Sequence, residues 1–170
     1  MADFGVFLRK LLRLEGGYVK NSNDAGGCTN KGITISTFRS YYGAGLDCTD
    51  LKAIKDEQVE YIYKKGYWDV CKADKIADSN LAYLLVDFAV NCGTKTAIKT
   101  LQSIIGVNDD GIIGKITLDA INSYYDPKDL FDQLMDARKK HYEKIVEKKP
   151  SQKIFLKGWF NRLKEYEWRD

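Results

Sequence analysis

The sequence predicts a mainly α-helical fold with at most a small β-hairpin. Apolar residues recur at helical spacing through most of the chain, and residues that begin or end helices bracket these stretches. The long irregular segment, residues 16–34, is rich in Gly, Asn, Asp, Ser and Thr, and it can hold a hairpin near Lys31–Thr34. A chain of 170 residues can bury a substantial core, so we expect a single globular unit.

The first predicted helix runs from about Asp3 to Leu14 and is ended by Gly16-Gly17. Its apolar stripe consists of Phe4, Phe7, Leu8, Leu11 and Leu12. Glu15 therefore lies on the last turn, where the helix dipole favours cations rather than a carboxylate. A residue placed against local preference is a candidate for function. The loop that follows, with turns at Asn23-Asp24 and Gly26-Gly27, is where we expect a site.

Six further helices are predicted from start and stop signals. The first three are Asp56 to Lys65 with Gly66 as its stop, a helix capped by Ser79 that ends at Gly93, and a helix capped by Thr94 that ends at Gly106. The others are a short helix with Leu118 and Ile121, a long helix from Asp126-Pro127 that is stopped by Pro150, and a final helix from Phe155 to Tyr166. No internal repeat is apparent, and no stretch is long and apolar enough for a membrane span.

Charge and cysteine content exclude several classes of function. The net charge of +3 permits an acidic partner, but no nucleic-acid-reading motif accompanies the basic residues. Cys28, Cys48, Cys71 and Cys92 are widely spaced, and only His141 could assist them, so we expect no structural zinc site. No organic cofactor is implied either. Free buried thiols are the expected state, with one or two disulfides as the less favoured alternative. We also expect a monomer.

Glu15 and Asp24 supply the two carboxyl groups that glycosidic bond cleavage uses. One carboxylic acid donates a proton to the leaving oxygen, and a second carboxylate activates water or attacks the sugar. At a helix end against apolar residues, Glu15 fits the acid, whereas Asp24 in a polar loop fits the ionised partner. The spacing alone is weak evidence, because surface carboxylates at such distances are common.

Longer motifs around these residues resemble the N-acetylmuramidases of glycoside hydrolase family 108. They are Glu15-Gly16-Gly17-Tyr18, Asp24 to Thr34, Tyr67-Trp68, Val86 to Gly93, Leu101 to Leu118, and Gly158 to Arg162. Together they cover nearly the whole chain. Asp87-Phe88 stands where members commonly have Phe-Asp, which leaves open which of the two faces the substrate.

The resemblance implies a lysozyme-like fold that cuts peptidoglycan glycan strands between N-acetylmuramic acid and N-acetylglucosamine, with Glu15 as general acid. A more distant likeness to phage-type lysozymes gives supporting roles to Asp24 and Thr29, with Asn30 as the alternative to Thr29. We expect residues 1–78 to form the catalytic lobe and residues 79–170 a helical lobe that resembles a peptidoglycan-binding segment. Family members are also labelled secretion activators.

Several residues near these motifs could contact the substrate. We predict Tyr18, Asn30, Tyr67, Trp68, Asp87 and Asn91. For Trp68 core packing is an equal alternative, and Asn91 could instead belong to a buried hydrogen-bond network. The segment from Leu101 to Leu118 could bind wall or simply form core.

Two other functions compete with hydrolysis. One is a lytic transglycosylase, which also uses a glutamate, and the other is a non-catalytic wall-binding or secretion-associated protein on the same fold. Among hydrolases we favour inversion, with Thr29 or Asn30 holding the water. Because no signal peptide is visible, we expect the chain to reach the cell wall by release or by another export route.

Overall fold

A computed structural model describes residues 1–20 and 27–169 of the chain. Across these residues it contains nine α-helices and three short strands. They are α1 Phe4–Leu14, β1 Val19–Lys20, β2 Cys28–Asn30, β3 Ile33–Thr34, α2 Ile35–Tyr42, α3 Cys48–Lys52, α4 Asp56–Tyr63, α5 Ser79–Cys92, α6 Thr94–Ile105, α7 Lys115–Asn122, α8 Pro127–Lys148 and α9 Lys153–Leu163. The predicted mainly helical fold with a small hairpin is confirmed. No helix in this described part is both long and apolar enough to cross a bilayer.

The chain forms two compact units, which divide at Gly66. One unit is Phe4–Gly66, and the other is Tyr67–Asp170 together with Met1–Asp3. The predicted boundary after residue 78, between a catalytic lobe and a helical lobe, stays a prediction.

The unit Phe4–Gly66 combines four helices with a three-stranded antiparallel sheet of order β1-β2-β3, counted over its described residues. Strand β2 pairs with β1 through Thr29 opposite Val19, and with β3 through Asn30 opposite Ile33. Helix α1 buries Phe7 and Leu11, the centre of the predicted stripe, while Glu15 follows its last residue. The core of the unit also contains Ile33, Phe38, Leu51, Val59, Ile62 and Tyr63.

Helices α2 and α3 were not predicted, although both have side-chain caps. Thr34 ends β3 and also caps α2, because its hydroxyl accepts the backbone N–H of Thr37. Asp47 and Asp50 form a capping box at the start of α3. Short helices with two apolar positions give little periodicity, so the caps are their main sequence signal.

The predicted stop at Gly66 is wrong. Helix α4 ends at Tyr63, and the chain continues as a π-helical turn, Lys64–Trp68, that passes through Gly66. A β-carbon at Gly66 would lie 2.6 Å from the hydroxyl oxygen of Tyr41. The glycine therefore gives room for a tyrosine side chain and does not end the helix.

The unit that begins at Tyr67 is built around α5, most of which is buried, with α6 and α8 packed against it. Asp78, rather than the predicted Ser79, caps α5, and Gly93 rather than Thr94 precedes α6. The predicted cap at Asp126 is confirmed, since its carboxylate accepts the N–H groups of Lys128 and Asp129 ahead of the first-turn proline of α8.

Buried charges join three helices of this unit. Asp87 on α5 is fully buried and accepts hydrogen bonds from Arg138 on α8 at 2.7 Å and from Arg162 on α9 at 2.7 Å. Arg138 also donates to the hydroxyl of Tyr142, and that hydroxyl donates to Asn91 at 2.6 Å. A carboxylate enclosed by two guanidinium groups is a structural cluster whose members depend on one another.

A disulfide joins Cys28 on β2 to Cys48, the first residue of α3, and Cys71 and Cys92 are free thiols. The expectation of free thiols is therefore wrong for two of the four cysteines. The bond closes a loop with a sequence separation of 20 residues. Because the closed loop restricts the unfolded chain, the disulfide stabilises the fold by about 3 kcal/mol.

Removal of this disulfide is expected to lower the free energy of unfolding by about 3 kcal/mol. The change is the double substitution Cys28→Ser and Cys48→Ser, measured by urea denaturation. Dithiothreitol should bring the parent protein down to the level of the variant and leave the variant unchanged. Equal effects of dithiothreitol on both proteins would contradict the assignment.

Candidate active site

The candidate site is built on the tight turn between β2 and β3. Asn30 pairs with Ile33 across this hairpin, so Lys31 and Gly32 form a two-residue turn. Both have positive φ, 49° at Lys31 and 76° at Gly32. This is the pattern of a type I′ turn, whose twist matches that of the strands it joins.

The carboxylate of Glu15 lies against this turn. A β-carbon built on Gly32 would stand 2.6 Å from Oε2 of Glu15 and 2.6 Å from the hydroxyl oxygen of Tyr63. The backbone at position 32 thus leaves room for these two oxygens only because it carries no side chain. Glu15 is half-buried, and its backbone N–H donates to the carbonyl of Leu11, so the end of α1 fixes its position.

Tyr63 holds the turn in place and was missed by sequence reasoning. Tyr63 is 1% exposed, and its hydroxyl donates to the carbonyl of Lys31 at 2.7 Å. The side chain comes from the last residue of α4, where an aromatic residue is typical of core packing. No sequence signal distinguishes it from the other buried aromatic residues.

The two faces of β2 have different roles. Cys28 and Asn30 are buried on one face, and both attach α3: the disulfide holds its first residue, while the Asn30 amide donates to the carbonyls of Leu51 and Lys52. Thr29 lies between them and is half-buried on the opposite face. Because both hydrogens of its amide are used within the fold, Asn30 has a structural role. Its predicted substrate contact stays a prediction.

Asp24, the second predicted carboxylate, lies outside the described residues. Its place relative to Glu15 remains a prediction. Among the described residues, no group of His, Cys, Asp and Glu side chains is arranged to hold a metal ion.

Comparison with known proteins shows the family of the chain. The family model of glycosyl hydrolase 108 matches residues 8–93, which is half of the chain and includes Glu15, the turn and Tyr63. The chain belongs to the glycosyl hydrolase 108 family. A second model, described as a predicted peptidoglycan domain, matches residues 96–164. No curated protein matches the chain.

A solved structure extends the likeness of this glycosyl hydrolase 108 member to almost its full length. The chain is similar to the structure of Brucella abortus SagA, with 30% identity and a TM-score of 0.84. The match covers 96% of this chain and 90% of that chain. The two family matches and this fold support a peptidoglycan hydrolase.

Of the predicted substrate contacts, Tyr18 lies in the same unit as Glu15. Its ring is half-buried, and the ammonium of Lys52 lies 5.6 Å from the ring centroid. This is the distance of a cation–π contact. Tyr67 lies at the start of the other unit and is half-buried. Both stay candidates for sugar stacking.

The other predicted contacts lie inside the unit that begins at Tyr67. Trp68 is fully buried and donates its indole N–H to Asp74 at 2.7 Å. Of the two roles considered for Trp68, the structure therefore favours core packing over substrate contact. Asp87 is enclosed by Arg138 and Arg162, and Asn91 accepts from Tyr142. Trp68 and Asp87 have no exposed surface for a sugar, so the structure corrects their predicted substrate role.

The close approach at Gly32 gives the candidate site of this glycosyl hydrolase 108 member a direct test. We expect Gly32→Ala to reduce activity strongly, because the new methyl group would stand too close to Oε2 of Glu15 and would push this carboxylate from its place beside the turn. The left-handed backbone adds a stability cost of about 1–2 kcal/mol. The measurement compares the clearing rate of purified cell walls with the unfolding midpoint. Gly45→Ala is the matched control, since nothing lies within 4 Å of its β-carbon position; equal activity of the two variants would contradict the geometry.

Proposed function

We propose that this protein is an N-acetylmuramidase that hydrolyses the β-1,4 bond between N-acetylmuramic acid and N-acetylglucosamine. The observation that carries the proposal is the half-buried carboxylate of Glu15 against the type I′ turn. A general acid needs a fixed position beside the leaving oxygen, and the end of α1 together with Gly32 supplies a fixed carboxylate.

Glu15 acts as the acid in this proposal, and Asp24 activates the attacking water. Protonation of the glycosidic oxygen by Glu15 lets the sugar leave, while positive charge develops at its anomeric carbon. Thr29 extends from the face of β2 opposite Cys28 and Asn30, and it orients the water. Direct attack by this water would invert the anomeric configuration.

Tyr18 and Tyr67 are the proposed sugar-stacking residues. Their rings offer flat apolar surface with a polar end, which suits the faces of pyranose rings. No cofactor takes part, because a pair of carboxyl groups completes the acid–base chemistry. The Cys28–Cys48 disulfide suits action at the cell wall, where thiols are not kept reduced.

The proposal is tested by clearing of a suspension of purified peptidoglycan. The intact protein should clear it, and Asp24→Asn should clear it at least about 100-fold more slowly, the lower range for an acid–base residue. Asp109→Asn, an exposed aspartate of the other unit, serves as matched control and should keep full activity. Absence of clearing by the parent protein would favour a non-catalytic wall-binding role, and full activity of Asp24→Asn would remove Asp24 from the mechanism.

A further inference from the structure

A second concave site lies between α6 and α8, inside the region that matches the predicted peptidoglycan domain. The pocket has a volume of about 360 Å³. Helix α8 contributes three basic side chains, Lys140, His141 and Lys144, and no Asp or Glu is among the described residues that line it. It shares no residue with the candidate active site.

The charge of this pocket is uncompensated. Lys140 and Lys144 are exposed and one helical turn apart, and within residues 1–20 and 27–169 neither makes an ion pair. Burial lowers the pKa of His141, and the charges of Lys144, Arg138 and Lys148 lower it further. The ring of Phe88 on α5 also contacts His141. A pocket of this kind favours an anion, because each lysine can offer a charge-assisted hydrogen bond.

The rest of the lining is suited to more than a bare anion. Ile104 and Ala137 give the lining an apolar part, which suits alkyl groups. The hydroxyl of Thr100 donates to the carbonyl of Thr96 at 2.8 Å, so its oxygen is left to accept an N–H from a ligand. Ser103 adds an exposed hydroxyl. Carboxylates, methyl groups and amide N–H groups occur together in a short peptide that contains alanine and free acid groups.

We propose that the pocket between α6 and α8 binds the carboxylate-bearing stem peptide of peptidoglycan, with Lys140 and Lys144 as its anion contacts. This inference rests on the proposed function, since it assumes that the chain acts on peptidoglycan. The stem peptide would then attach the enzyme to its polymer at a place separate from the glycan bond that is cut. Inorganic phosphate would use the lysines but leave the apolar lining unused, so it should bind more weakly.

The test uses the full chain and its single histidine as a probe. A synthetic stem peptide, alanyl-γ-glutamyl-diaminopimelyl-alanine, is titrated while the Hε1 proton resonance of His141 is followed by NMR. We expect a saturable shift and a rise in the pKa of His141, because the entering carboxylate offsets the nearby positive charge. The same peptide with all carboxylates converted to amides, and inorganic phosphate, should each bind at least about tenfold more weakly.

Variants separate binding in the pocket from general attraction. The double substitution Lys140→Gln and Lys144→Gln should weaken stem-peptide binding at least about tenfold, whereas Lys157→Gln on α9 should leave it unchanged. The proposal would be overturned if the amidated peptide or phosphate bound as tightly as the stem peptide, or if the His141 resonance did not shift. It would also be overturned if Lys157→Gln weakened stem-peptide binding as much as the double substitution. Because the peptide contains no glycan, its binding does not depend on bond cleavage. Peptide binding by a protein that does not clear walls would support the proposed binding site and contradict the proposed muramidase activity.

Discussion

Replacement of Glu15 by glutamine is expected to reduce the rate of wall clearing at least about 100-fold, the lower range for a general acid. The amide nearly matches the carboxyl group in shape, so the contacts beside Gly32 and Tyr63 can persist. It cannot donate a proton of suitable acidity to a leaving oxygen. The clearing rate and the urea unfolding curve are measured on the same preparation, and the unfolding midpoint should stay unchanged.

The matched control for this variant is Glu60→Gln, which makes the same chemical change at an exposed position of α4. It should retain full activity. A Glu15→Gln protein that unfolds normally and clears walls at the parent rate would show that another group supplies the proton.

Replacement of Asp87 by asparagine is expected to lower the free energy of unfolding by about 3–5 kcal/mol, the usual cost of breaking a buried ion pair. The change removes the charge that compensates the fully buried Arg138 and the nearly buried Arg162. Urea denaturation measures it. Asp136→Asn disrupts only the exposed pair with Lys139, so its effect should stay below about 1 kcal/mol. Similar effects of the two changes would contradict a structural role for the cluster.

The same cluster predicts how stability depends on pH. Burial alone would raise the pKa of Asp87, but the charges of Arg138 and Arg162 outweigh burial and hold this pKa below its usual value. The stabilisation is therefore fully present above the pKa of an unfolded aspartate, about 3.9, and it is lost as the pH falls through the lower folded value. The parent protein should lose stability in this acidic range. Asp87→Asn should lose less, and an equal acid loss in both proteins would argue against the cluster as its source.

Local signals were sufficient to predict the part of the fold nearest the site. The apolar stripe of α1 and the glycines after it place Glu15 at a helix end, and the turn at Lys31-Gly32 lies within the predicted hairpin. The Asp126-Pro127 start of α8 is another such local signal. In each case a few neighbouring residues determine the backbone, so the sequence is enough.

Contacts between distant residues explain most of what was missed. Asp87 looked available to a substrate, because its partners are 51 and 75 residues away in sequence. Trp68 and Tyr63 are both aromatic ends of helical segments, and only the folded structure shows that the hydroxyl of Tyr63 supports the turn beside Glu15. The pairing of Cys28 with Cys48 likewise depends on α3, a helix too short to show periodicity.

Mass spectrometry of peptidoglycan digested by the parent protein tests the central claim most directly. Hydrolysis between N-acetylmuramic acid and N-acetylglucosamine should release muropeptides that end in reducing N-acetylmuramic acid, which borohydride converts to the alditol. Glu15→Gln should release almost none at equal protein concentration. Products that end in anhydro-muramic acid would instead identify a lytic transglycosylase, and reducing ends on N-acetylglucosamine would mean that the other glycosidic bond is cut. Either of these results would contradict the proposed muramidase.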